Sequence, residues 1–314
     1  MAAALLAGVP GGVAARTLTV GPGQAYPQVG VAVREAAAGD TISIEPGTYY
    51  DCAVATVPLT IEGHGPGVIL TDRTCEEKAI LVLRGGAMVV RDVTLARARV
   101  GDGNGAGIRM EGQGLTLERV VFDNDEVGLL AAPGPGRITV TDCAFLGGGV
   151  DGEHPLAALF VDRVAALVVR HSRFSAARGA QVNSAAELTE FHGNTVETGA
   201  AARGLDIRGA LVAEDNSFAA GRRAAPGMLR VEGDGPVVLR RNRLMNHAGG
   251  PATLLLDWTG GAPTLAGNVL IAGDQEVSTD GVWRHRASAT AHGMKDGARA
   301  AAGQLKRGVL GLVR

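Results

Sequence analysis

Charged residues spaced two apart recur just before glycines along this chain. Arg109 and Glu111 stand in GIRMEG (107–112), Asp206 and Arg208 in RGLDIRG (203–209), and Arg230 and Glu232 in GMLRVEG (227–233). The residues between them are apolar, so in an extended strand the charges share one face. Gln181 with Asn183, and then Asp257, would continue the row. Such a face could pair the carboxylates of an acidic ligand through its arginines. Removing a proton beside a uronate carboxylate needs a base, and Arg208 and Arg230 are candidates for it. Arg109, Glu111, Asp206, Glu232 and Asp257 are then candidates for contact with substrate, and a carboxylate there could hold Ca²⁺. The same residues could equally form a salt-bridge ladder, with Arg208 beside Glu232 or Arg230.

Two further stretches carry chemistry-bearing groups. The loop GGGVDGEHP (147–155) supplies Asp151, Glu153 and His154. These can act as acids, bases or metal ligands, and His154 joins Arg208 and Arg230 as a catalytic candidate. The other reading is a solvated glycine loop. Acidic turns at VGDGNGAG (100–107) and DNDE (123–126) contain Asp102 and Asn104 but no complete ligand pattern for Ca²⁺. The pattern requires no cofactor and identifies no metal.

The elements that must position these residues repeat. VRDVTL (90–95), LERVVF (117–122), VTDCAF (140–145), VRHSRF (169–174), FHGNTV (191–196), AEDNSF (213–218), LRRNRL (239–244) and LAGNVL (265–270) align. Their sixth position is always apolar and holds Phe122, Phe145, Phe174 and Phe218, at steps of 22–29 residues. The fourth position is Val93, Val120, Cys143 and Ser172, then Asn194, Asn216, Asn242 and Asn268. Asparagine tolerates the left-handed backbone of a tight turn, and stacked amides can bond from coil to coil. The 47 glycines leave no room for a helical bundle. Short strands, a coil of this length and no crossover helices predict an all-β, single-stranded parallel β-helix over residues 16–272.

The opening AYPQVGVAVREAAAGDTISIEPGTYY (25–50) resembles that of the pectin lyase-like, right-handed parallel β-helix superfamily. The resemblance implies a short capping helix, here over 27–38 with Val29, Val31, Val33 and Ala37 inward, then a Gly-Asp-Thr-Ile strand. It specifies the fold and leaves the chemistry open, because lyases, hydrolases, esterases, epimerases and non-enzymatic binders share it. Glycoside hydrolases of this fold also use a Gly-His-Gly, and IEGHGPG (61–67) contains one. Their further Asn-Thr-Asp, Asp-Asp and Arg-Ile-Lys motifs are missing, so His64 reads as part of a glycine turn.

One coil separates Cys52 from Cys75, so the two could stack on adjacent strands about 4.8 Å apart and form a disulfide; two free thiols are the alternative. Cys143 reads as a buried small residue. Residues 1–15 read as a truncated export signal with a cleavage site after Ala15, which implies a secreted or periplasmic protein. Residues 273–314 are basic and could add a C-terminal helix over 296–314 that caps the solenoid, or stay disordered. With a net charge of −2 and no apolar run of membrane-spanning length, neither a nucleic-acid partner nor a membrane span is expected. The expectation is a monomer that binds or processes an acidic polysaccharide, as a lyase or epimerase on uronic acids. The alternative is a non-catalytic structural or surface-binding module.

Overall fold

The computed structural model describes residues 14–149, 156–198, 203–220, 228–246, 256–272, 275–277 and 283–285. Each coil gives one short strand to each of three sheets. Sheet 1 has eleven strands, from Thr17–Val20 through Gly114–Glu118 to Thr264–Ala266. Sheet 2 has ten, from Ala53–Ala55 through Leu205–Arg208 to Trp283–His285. Sheet 3 has eleven, from Gly47–Tyr49 through Val121–Asp123 to Gln275–Val277. Neighbours pair in parallel, save Gln275–Val277, which runs antiparallel to Val269–Ala272. The fold is therefore a single-stranded parallel β-helix. It also has strands beyond residue 272, where the sequence repeat ends; the expected C-terminal helix lies outside the described residues.

The repeated apolar column lies in sheet 3 with the register that the sequence repeat implies. Leu95, Phe122, Phe145, Phe174 and Val196 are successive Cα partners, followed by Phe218, Leu244 and Leu270. The rings of Phe122, Phe145 and Phe174 stack at 4.6 and 4.7 Å between centroids. At Val196 the column has no ring. Phe191 of sheet 1 fills that space, 5.8 Å from Phe174 and 6.1 Å from Phe218. Burying each phenylalanine contributes about 1.5–3 kcal/mol. The stack also dictates the facing residues of sheet 2. A Cβ on Gly128 would lie 2.8 Å from Cδ1 of Phe145, so only glycine fits there.

The asparagine column forms the expected ladder. Asn194, Asn216 and Asn242 each accept, through Oδ1, the backbone N–H of the column residue one coil earlier, and Asn268 does the same for Asn242. Ser172 Oγ and Cys143 Sγ extend it backwards, accepting from the N–H groups of Cys143 and Val120. One detail differs from expectation: the left-handed residue is the one before the ladder residue. Asp92, Arg119, Asp142, His171, Asp215 and Arg241 hold φ of 49–58°. Asn194, Asn216 and Asn242 are buried, Asn268 is part-buried, and all four serve as backbone-satisfying groups.

The helix is shorter than expected, Val29–Glu35, and its packed face is Val29, Ala32 and Val33. Val31 is half-exposed and Ala37 exposed, because packing follows a 3.6-residue period rather than alternation. The helix lies against Ala53–Ala55, at the end of sheet 2. Asp40 of the Gly-Asp-Thr-Ile strand fixes this end of the solenoid. It accepts from the backbone N–H groups of Arg16 and Ala37 and from the Arg16 guanidinium. Those bonds, first of all that from the Arg16 side chain, hold its pKa at about 2.

Candidate functional site on the outer face of sheet 2

Alternation along the sheet 2 strands puts Ile108, Met110, Leu205, Ile207, Leu229 and Val231 in the core. Arg109, Asp206, Arg208, Arg230 and Glu232 face outward, and the strand pairing sets them in register. One row runs Arg109, Leu130, Phe160, Asn183, Asp206, Arg230, Asp257. A second row, two residues on, pairs Arg208 with Glu232. Arg109 and Arg230 are five strands apart in the first row, about 24 Å at ordinary strand spacing. The candidate residues therefore form two groups rather than one.

The first group surrounds Glu111. Lys78 Nζ and Arg84 Nε each donate to its carboxylate at 2.8 Å, and Arg109 Nε stands 3.5 Å away. Burial alone would raise the Glu111 pKa, but Lys78 and Arg84 together hold it below the usual value. Arg84 also pairs with Glu76. Lys78 and Glu76 reach this place because the Cys52–Cys75 disulfide, with Cα atoms 5.5 Å apart, ties their turn to the edge of sheet 2. Sequence reasoning missed Arg84. The signal was present: Leu83-Arg84-Gly85 has the same apolar-charge-glycine ending as Met110-Glu111-Gly112 and Ile207-Arg208-Gly209.

The second group surrounds Arg230, which pairs with Glu232 and lies 3.8 Å from Asp206 Oδ2. Arg208 is exposed and has no ion pair among the described residues. Asp257 is in register with Arg230 but only 3% exposed. Gln181, expected outward, is fully buried and donates to Glu197 O at 2.8 Å. His154 lies outside the described residues. Among those described, no three His, Cys, Asp or Glu side chains cluster closely enough to share a metal ion.

Elsewhere the outer charges satisfy one another between coils. Arg97 with Asp72, Arg119 with Asp92 and Arg241 with Asp215 make two-bond guanidinium–carboxylate pairs at 2.6–2.8 Å. The sheet 2 row differs. Arg109 Nε, Asn183 Oδ1 and Arg230 Nε are buried there without a hydrogen-bond partner. Half-exposed Phe160 stands between the first two.

Two cavities lie off this row. A groove of about 480 Å³ runs along Gly63–Val68, with the Asp92–Arg119 pair on its other side. His64 is exposed, in the turn between strands Thr60–Gly63 and Val68–Thr71, and is not part of the groove's lining. The other, of about 110 Å³, lies at the turn entering sheet 2 beside Asp125.

The three sheets and the stacked interior define a parallel β-helix, a fold shared with solved structures of other proteins. A solved structure with this fold is the pectin methylesterase of Aspergillus niger, at TM-score 0.51 and 14% identity, over 87% of this chain and 90% of that one. The carrot pectin methylesterase aligns at TM-score 0.49 and 13% identity, over 90% and 91% of the two chains. Identity this low establishes the fold alone. No protein-family model and no curated protein sequence matches the chain. Among the described residues no helix is long and apolar enough to cross a membrane.

Proposed function

We propose that this is an exported β-helix protein that binds and processes an acidic polysaccharide along the outer face of sheet 2. One observation carries the proposal. The buried polar atoms Arg109 Nε, Asn183 Oδ1 and Arg230 Nε, without a hydrogen-bond partner among the described residues, fall in one in-register row. Such atoms are rare in a folded chain and call for an explanation. A polymer lying along the solenoid axis would meet this row once per coil.

Each residue has a role in this reading. Arg109, Arg208 and Arg230 pair with uronate carboxylates. Phe160 offers an apolar face to a sugar ring. Elimination and epimerisation both begin with loss of the proton beside the uronate carboxylate. Arg230 is paired with Glu232 and close to Asp206, which holds its guanidinium in place to clamp that carboxylate. Asp206 is then the base, with Glu232 and the more enclosed Asp257 tuning Arg230. Export to an oxidising compartment fits the Cys52–Cys75 disulfide. A pectin methylesterase shares the fold, so ester hydrolysis on the same substrate class is the competing chemistry, by analogy alone.

A panel of acidic polysaccharides tests this, read for binding, for the ultraviolet absorbance of unsaturated uronates and for methanol release. Arg230→Ala should abolish binding, and Asp206→Asn should keep binding while losing turnover. Arg241→Ala, on another face, should change neither. Binding without any product would identify a non-catalytic module, a reading favoured by the ion pairing of Arg230. Wild-type behaviour of Arg230→Ala would remove the row from consideration.

A further inference from the structure

The corner from sheet 1 to sheet 3 is two residues long in the coils on either side of Gly63–Val68, as Glu45–Pro46 and as Asp92–Val93. Between strands Thr60–Gly63 and Val68–Thr71 it has four, His64–Gly67. The fold does not require the addition, since both neighbours turn without it. The ends of the longer turn are pinned to the coil before. His64 N donates to Ile44 O at 2.7 Å, and Gly47 N donates to Gly67 O at 3.0 Å. Gly63 is pressed against the coil after, where a Cβ would lie 2.1 Å from Asp92 O. Gly65 and Pro66, both exposed, form the outer wall of the groove of about 480 Å³, and the corner of the next coils forms the other. Sites for small ligands run from about 300 to 1,000 Å³.

The lining is apolar at Pro66, Val68, Val93 and Val121 and polar at Asp92, Thr94 and Arg119. Its charges are already answered. Arg119 gives Nε and Nη2 to the two oxygens of Asp92 at 2.6 and 2.8 Å, and Glu118 Oε2 stands 3.9 Å from Arg119 Nη1. An ionic ligand would lose water here without meeting an unanswered charge. Hydrogen-bonding capacity remains. Thr94 is half-exposed, and its hydroxyl makes no hydrogen bond among the described residues. The N–H groups of Gly65 and Gly67 make none there either. Thr94 and Val121 are also neighbours in an outward row of sheet 3 that runs Ile69, Thr94, Val121, Ala144. All four are half-exposed and uncharged, over about 14 Å at ordinary strand spacing. A chain held in the groove can leave along this row without meeting a charge in it. An apolar floor, unused hydrogen-bonding groups and balanced charge suit a ligand with an apolar ring face and a hydroxyl edge.

We propose that this groove binds a neutral sugar residue of a polysaccharide, its ring against Val121 and Pro66 and a hydroxyl bonded to Thr94. The site is independent of the charged row on sheet 2. Calorimetric titration of the full chain with neutral tetrasaccharides of glucose, galactose, mannose and xylose tests it, with tetragalacturonate as the charged control. At least one neutral sugar should bind. Val121→Phe, which fills the floor, should abolish that binding, and so should deletion of Gly65 and Pro66, which returns the turn to the length of its neighbours. Thr94→Val keeps the shape and removes one hydrogen bond between uncharged groups, so it should weaken binding about two- to tenfold. Val121 faces outward and phenylalanine suits a strand, so thermal melts of Val121→Phe and Thr94→Val should match wild type. Arg230→Ala should leave neutral-sugar binding unchanged, and Val121→Phe should leave any binding of acidic polysaccharide unchanged. Failure here and failure of the sheet 2 proposal are thereby distinguishable. Binding of no neutral sugar, or neutral-sugar binding that survives Val121→Phe and the deletion, would overturn the assignment.

Discussion

Asn216→Ala should be among the most damaging polar substitutions in the chain. Asn216 is 2% exposed, and its amide makes four ladder bonds. Oδ1 accepts from Asn194 N at 2.8 Å and Asn194 Nδ2 at 3.1 Å, while Nδ2 donates to Phe191 O at 2.7 Å and Asn242 Oδ1 at 2.9 Å. Not all four partners are orphaned by its loss. Asn194 Nδ2 keeps Val169 O, and Asn242 Oδ1 keeps the Asn216 backbone N–H. Two backbone groups lose these bonds, the N–H of Asn194 and the carbonyl of Phe191. At about 1–3 kcal/mol for each buried group left unsatisfied, the cost is roughly 2–6 kcal/mol. At the end of the ladder Asn268 is only part-buried, so water can replace what Asn268→Ala removes, and the cost should be nearer 1 kcal/mol. Asn216→Ser should recover part of the loss, since Ser172 performs the acceptor role in its own coil. Urea titrations of the three variants measure this ordering. Equal midpoints for Asn216→Ala and Asn268→Ala would refute a ladder whose value comes from enclosed backbone groups.

Other consequences follow from the N-terminal end and the disulfide. Asp40 has a folded-state pKa of about 2, below its value of about 3.9 in an unfolded chain. Its contribution is present above the unfolded pKa and is lost as pH falls from about 4 towards 2. Hydrogen exchange should therefore show the strand Thr17–Val20 loosening first over that range, and Asp40→Asn should remove the pH dependence. Reducing the Cys52–Cys75 bond should destabilise the chain by about 3 kcal/mol, with amide protection lost most in residues 72–78. If the melting temperature is the same with and without reductant, the turn is held by its ion pairs instead.

The solenoid could be read from the sequence because its interior is one-dimensional. Each inward residue stacks on its counterpart a coil away, so Phe122, Phe145 and Phe174 are related by chain spacing alone. Asn194, Asn216 and Asn242 were visible for the same reason. The outward rows were equally legible in direction, since alternation fixes which face a residue takes. Their partners were not. Whether Arg230 meets Asp206, Glu232 or neither depends on rotamers that no spacing encodes. Lys78 reaches Glu111, and Glu76 reaches Arg84, because the Cys52–Cys75 turn folds back onto sheet 2, contacts between residues with no shared place in the repeat. Gln181 was misplaced because it precedes its strand, Val182–Ser184, and alternation does not extend through a corner.

A repeat of this kind also shows where function can be sought without any aligned relative. In an unbroken column every turn group is answered by the next coil, and such positions need no ligand to explain them. Asp215 with Arg241 and Asp92 with Arg119 are of that sort, closed pairs on the outside of the solenoid. Asp125 is different in kind. Alanine serves the fold at the same corner one coil before, so the carboxyl group is not required by packing, and burying it costs free energy unless something meets it. The sheet 2 row shows the same departure less sharply, since Arg109, Asn183 and Arg230 face outward in register yet keep polar atoms that their neighbours do not use. The stacking that makes the architecture monotonous is thus what exposes its exceptions. Those exceptions lie on the outer face of one sheet and at the turn that leads into it.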